Sequence, residues 1–130
     1  MKSEQLEFLQ KGLDKFRNEN YFETHEHWED AWRTMEGNQR IFWQAMIQLT
    51  VGAYHFTKGN LHGCKSMWNK AIQKCELILK GKEPNDSKLI KYLKNNLNVF
   101  LKRVEGGGDP MILVRKFAKN PVLKNWFEFE

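Results

Sequence analysis

The stretch GLDKFRNENYFETHEHWEDA, residues 12–31, decides the fold, because GAYHFTKGNLHGCKSMWNKA, residues 52–71, follows its pattern forty places on without a gap. Gly12 falls on Gly52, Phe16 on Phe56, Asn20 on Asn60, Trp28 on Trp68 and Ala31 on Ala71. Each copy reads as a helix, a short turn containing asparagine, and a second helix. Small and aromatic residues stand where the two helices would cross, which is how helical hairpins stack.

Outward from this pair, Ser3 reads as the N-cap of a first helix to about residue 18, with Leu6, Leu9, Leu13 and Phe16 as its core stripe. A second helix over about 21–35 ends near Gly37-Asn38, residues suited to a left-handed C-terminal position. A third, over about 39–58, returns antiparallel because the connection is short. Gly59-Asn60 breaks the chain before a fourth helix over about 61–80. Gly81, Pro84 and Asn85 read as a loop, and Asp86 or Ser87 as the cap of a fifth helix to about Val104. Beyond the Gly106-Gly107-Gly108 joint, Asp109-Pro110 opens a sixth helix to about Lys119. The apolar tail residues Val122, Leu123, Trp126, Phe127 and Phe129 are expected to pack over the bundle end rather than wait for a partner. The expected fold is all-α: two stacked helix-turn-helix hairpins, tetratricopeptide-like in design only, with a fifth helix and a C-terminal capping segment over residues 86–130. Residues 1–130 are read as a single helical domain, a size that supports one core.

Charge is divided unevenly. Residues 1–36 hold five basic and nine acidic side chains, a net of −4, and residues 37–130 hold sixteen and seven, a net of +9, which together give the +5 of the whole. Solvated faces explain this most simply. Residues 41–57 carry no formal charge, but the run is short for a membrane span and contains Gln44, Gln48 and His55, so it reads as a buried central helix. Cys64 and Cys75, eleven places apart on one helix, lie about three turns from each other and cannot pair there. They read as buried thiols of a reducing compartment. Nothing near Lys2, Glu4, Glu7 and Lys11 resembles the apolar region of a signal peptide, so a cytoplasmic location is expected.

The chemistry is concentrated in the second and third helices. At 3.6 residues per turn, Phe22, His25, Glu29 and Trp32 share one stripe, which the two aromatic residues mark as buried. On the third helix Ala45, Gln48, Gly52 and His55 share another. If the two helices are antiparallel about Gly37, Glu29 faces Gln48, His25 faces Gly52 and Phe22 faces His55. The result is a pocket of His25, Glu29, Gln48 and His55, with Glu26 on its edge and Trp32 as a wall. Such groups can satisfy one another and fix helix register. They can also bind: His25, Glu29 and His55 are a reasonable ligand set for a divalent transition metal, although the spacing is not that of His-Glu-x-x-His. General acid/base catalysis and binding of a small polar ligand are the other uses of the set.

Phe16 to Glu26, Trp28-Glu29, Trp32-Arg33, Phe42, Gln44 to Gln48, Tyr54-His55-Phe56 and Gly59-Asn60 resemble the family called domain of unknown function 309, over about residues 13–75. That family's pattern is Tyr-Phe-Glu-x-His-Glu, an acid and a Trp downstream, an Ile-Gln pair, and a His before Gly-Asn. Thr24, where the family usually has Ala, and Cys64 depart from it. The resemblance implies a compact all-α fold and marks His25, Glu26, Glu29, Trp32, Gln48 and His55. It implies no activity.

The leading functional reading is a binding or interaction module for an unknown protein or small polar ligand, with no cofactor established. The alternative is a metal-dependent hydrolase or related enzyme built on His25, Glu29 and His55. Nucleic-acid binding through helices four and five ranks third. Lys65, Lys70, Lys74, Lys88, Lys91 and Lys94 supply charge there, but no interleaved aromatic residues accompany them.

Overall fold

The structure is a computed structural model that describes residues 1–81 and 84–128, for 84–86, 124–125 and 128 the backbone alone. Among these residues the chain is all-α: α1 (Ser3–Arg17), α2 (Tyr21–Trp32), α3 (Gly37–Thr57), α4 (Leu61–Lys80), α5 (Pro84–Glu105) and α6 (Met111–Lys119), then a 3-10 segment (Pro121–Glu128). Each helix packs against the next from α1 to α5, and α6 then crosses back to touch both α1 and α5. No helix among the described residues is long and apolar enough to cross a membrane.

The two hairpins are held by the same contacts. Trp28 lies across Gly12 and donates its indole N–H to the carbonyl of Leu9 at 2.9 Å; forty residues on, Trp68 lies across Gly52 and donates to Leu49 at 2.9 Å. A Cβ on either glycine would fall inside the facing indole ring, so the close crossing requires hydrogen at that position. Both turns are also alike. Asn20 accepts from the amide of Glu23 at 3.2 Å and Asn60 from the amide of Gly63 at 2.9 Å, each capping the helix that follows.

Several expected boundaries move. Lys2, not Ser3, precedes the first helical turn, and its amide is taken up by the Gln5 side chain at 3.1 Å. Gly37 does adopt a left-handed φ of 62°, but it begins α3 rather than ending α2. Arg40 closes α2 instead: its guanidinium donates to the carbonyls of Trp32 and Met35, both at 3.2 Å. Helix α5 starts at Pro84, inside the expected loop, because proline at a first helical position loses no hydrogen bond. Capping by the Asp86 side chain lies outside the described residues, as does Phe129. Asp109 accepts from the amide of Met111 at 2.8 Å, so α6 is capped where the sequence indicates.

The tail is packed against the helices, as expected. Leu123, Trp126 and Phe127 are buried, and Trp126 contacts Phe42 of α3, Tyr92 of α5 and Phe117 of α6. Trp28, Trp43, Trp68 and Trp126 are all among the fully buried side chains.

Candidate functional site

Helix α2 turns a different face inward from the one its aromatic pattern indicates. The buried residues are Tyr21, Thr24, Trp28 and Ala31; Phe22 is 47% exposed. Both stripes satisfy a 3.6-residue period and differ by one residue, about 100° of rotation. Trp28 decides between them, because its indole must reach Leu9 across Gly12. His25 and Glu29 therefore lie at the margin of the α2/α3 contact and not within it.

The consequence for the expected cluster is direct. Glu29 does not bond to Gln48. Its carboxylate is held within its own helix, 3.1 Å from His25 Nε2 and 3.4 Å from Arg33. Gln48 keeps a buried Oε1 with no hydrogen-bond partner among the described residues. Glu26 is exposed. Trp32 is half-buried and is no pocket wall: its N–H donates to the carbonyl of Arg40 at 2.9 Å, and the Arg40 guanidinium sits 3.8 Å from its ring centroid. That pair clamps the α2–α3 turn.

His25 and His55 do come together, in a cleft of about 200 Å³ lined by Tyr21, Phe22, His25, Val51, Tyr54 and His55. The antiparallel register places them: Phe22 meets Tyr54 at 5.6 Å between centroids, and the Phe22 ring stands edge-on to His25 at 5.5 Å. The surface the cleft presents is almost wholly apolar, made of the rings and the Val51 side chain. Both nitrogens of His25 are engaged, Nε2 by Glu29 and Nδ1 by the Phe22 carbonyl at 3.2 Å. Both partners are acceptors, so the neutral ring donates to one of them and turns its other nitrogen towards the second.

For His55 the neighbouring cap settles the tautomer. Because Asn60 uses Oδ1 to accept from Gly63, its amide nitrogen faces His55 Nδ1 at 3.4 Å. Nδ1 is then the acceptor, and the neutral ring carries its proton on Nε2, a donor without a partner among the described residues. No three His, Cys, Asp or Glu side chains among the described residues stand together so as to hold a metal ion, so the set His25, Glu29 and His55 is not assembled.

Tyr21 is the deep wall of the cleft. Its hydroxyl is buried without a partner among the described residues, and burial, reinforced by the charge of Glu19 and opposed by that of Arg115, pushes its pKa up to about 12. It is a neutral ring at any ordinary pH. Tyr21, Val51 and Tyr54 line the cleft too, although helical spacing placed none of them in the expected pocket. The pairing of Phe22 with His55 in the antiparallel register was the available signal, since it also brings in the residues beside them.

With this geometry in place, comparison with known proteins adds one finding. A model of the family described as Domain of unknown function (DUF309) matches residues 9–67, from within α1 to the first two turns of α4, so the cleft lies wholly inside the matched region. No curated protein and no solved structure matches the chain. Thr24 and Cys64 occupy equivalent places in the two hairpins, forty residues apart, and both are fully buried. Thr24 is accommodated by donating its hydroxyl to the Asn20 carbonyl at 2.8 Å.

Proposed function

We propose that the DUF309 region of this chain is a binding module, and that the cleft between α2 and α3 takes one apolar or aromatic group. The supporting observation is a concave cleft walled almost wholly by aromatic and apolar surface, with His25 and His55 among its lining residues. Ligand sites are characteristically apolar with a few placed polar groups. At about 200 Å³ the cleft is smaller than the ~300–1,000 Å³ of sites for whole small molecules. It suits a single side chain of a protein partner, the kind of anchor that dominates interface energies. His25, fixed by Glu29, would hold the rim in shape. A metal-dependent hydrolase built here would need His25 to give up a contact and a third ligand to move in, and it is the weaker reading. A cytoplasmic setting belongs to the same proposal: Cys64 and Cys75 are free and buried, as thiols of a reducing compartment are.

The test is an NMR titration with indole as probe. Shifts should concentrate at Phe22, Val51, Tyr54 and His55, and Val51→Trp, which fills the cleft, should abolish them. Shifts spread over the surface, or unchanged by Val51→Trp, would refute the cleft. A parallel titration with zinc tests the alternative, which needs both His25 and His55 to respond.

A further inference from the structure

Five of the six residues that line the α2/α3 cleft carry a ring, and Val51 is the sixth. The rings are inclined to one another rather than laid flat. Phe22 and Tyr54 meet at 51° with centroids 5.6 Å apart, Phe22 and His25 at 60° and 5.5 Å, and Tyr54 and His55 at 55° and 6.2 Å. Planes set at such angles make the sides of a box, with Phe22, 47% exposed, at its mouth. The face of an aromatic ring is its negative side and attracts a cation. Tyr54 already does so: the ammonium of Lys58 lies over its ring, 5.6 Å from the centroid.

The charges around the box favour the same sign of ligand. Helix α2 carries Glu23, Glu26, Glu29 and Asp30 and no lysine or arginine. Glu23 is matched by Lys15 at 2.9 Å, and Glu29 and Asp30 by Arg33 at 3.4 and 3.0 Å. Glu26 is exposed and has no ion pair among the described residues. It stands one turn beyond Phe22 on the same side of the helix, at the rim of the cleft. Lys58 is the opposing charge. It too is exposed and without an ion pair among the described residues, so an incoming cation displaces it from Tyr54 at little cost.

We infer that the group this cleft takes, on the reading proposed above, is a methylated ammonium, the trimethylated side chain of a lysine on a partner protein. A bare ammonium has three N–H donors, which an almost wholly apolar cleft would leave unsatisfied. Methylation removes the donors and keeps the charge, and it turns methyl groups towards the rings. A neutral group of the same shape fills the cleft equally well but gains nothing from the ring faces or from Glu26. The choline head of a lipid offers the same cation, but its phosphate would lie beside the carboxylates of α2. The uncharged four-carbon stem of a lysine meets no such opposition.

The test is an NMR titration of the protein with N-acetyl-trimethyllysine amide, with its neutral isostere bearing tert-butyl in place of trimethylammonium, and with indole. The cation should bind about fivefold or more tighter than the isostere, with shifts at Phe22, Val51, Tyr54 and His55. Glu26→Gln should weaken the cation and Lys58→Gln strengthen it, each leaving the isostere unchanged. Both side chains are exposed, so neither exchange disturbs the core. Equal binding of cation and isostere overturns the inference and leaves the apolar cleft standing, and so does binding of indole alone. Failure of indole as well removes the cleft itself. A cation affinity unmoved by Glu26→Gln overturns the part given to the rim carboxylate. Phosphocholine, titrated in parallel, should bind more weakly than the trimethyllysine compound, and tighter binding overturns lysine as the source.

Discussion

Replacing Gly52 with alanine sets two effects of opposite sign against each other. In a mid-helix position, alanine should help by ~0.5–1 kcal/mol, since glycine loses more conformational freedom on folding. Here the new Cβ would fall inside the indole of Trp68. That ring is fully buried, pinned by its bond to Leu49 and packed on Phe100 at 5.6 Å, so it cannot move aside without loss. Overpacking of this kind costs about 1–3 kcal/mol. If the ring shifts enough to leave its N–H unsatisfied, a further ~1–3 kcal/mol is lost. Because the pinned ring cannot keep its bond while making room, both losses apply, and against the gain in propensity the net expectation is a destabilisation of about 1–5 kcal/mol. Urea unfolding followed by circular dichroism should show a lower midpoint with an unchanged slope. Gly12→Ala should behave in the same way, because Trp28 repeats the contact. Gly81→Ala is the control: its φ of −102° suits alanine and nothing lies within 4 Å of the added carbon, so it should be neutral or gain up to ~1 kcal/mol. A Gly52→Ala protein as stable as wild type would refute the close crossing as the feature that sets the hairpins.

Glu29→Ala should cost less than about 1 kcal/mol, because the carboxylate is 37% exposed and its partners are i,i±4 neighbours on its own helix; a loss above about 2 kcal/mol would mean that it bonds across the helices after all. Alkaline pH should unfold the protein progressively. Burial pushes the thiols of Cys64 and Cys75 from an ordinary 9.0 up to about 12, so the folded state holds these protons more tightly than the unfolded chain. Their contribution is complete below pH 9.0 and is lost as pH rises towards about 12. Urea midpoints measured across this range should fall less steeply for the Cys64→Ala/Cys75→Ala double variant than for wild type, and equal slopes would refute the assignment.

The hairpins were legible because the residues that make them are few and chemically unmistakable. Gly12 and Trp28, with Gly52 and Trp68, form the crossings, and Asn20 and Asn60 cap the turns. The inward face of α2 was not legible. Phe22, His25, Glu29 and Trp32 fit helical periodicity as well as Tyr21, Thr24, Trp28 and Ala31 do, and one long-range hydrogen bond, from Trp28 to Leu9, selects the second set. Periodicity fixes a stripe but not which of two adjacent stripes is in contact. The Arg40 clamp and the tail packing were hidden for a related reason. Each depends on what lies across a turn or a groove, and nothing in the local pattern of Arg40 or Trp126 names Trp32 or Phe42 as its partner.

The forty-residue correspondence also separates the residues that build this fold from those that distinguish its site. Glycine, tryptophan, asparagine and alanine recur at the crossings and turns, where both hairpins need the same geometry. The cleft residues do not recur: Phe22 corresponds to His62, His25 to Lys65 and Glu29 to Asn69, while Val51, Tyr54 and His55 correspond to Lys11, Asp14 and Lys15. If the aromatic and imidazole groups were there to hold a hairpin together, the other hairpin, built on the same Trp and Asn contacts, would need counterparts, and it has none. They stand instead on the seam between α2 and α3, where one hairpin meets the next, with Phe22 47% exposed beside two histidines.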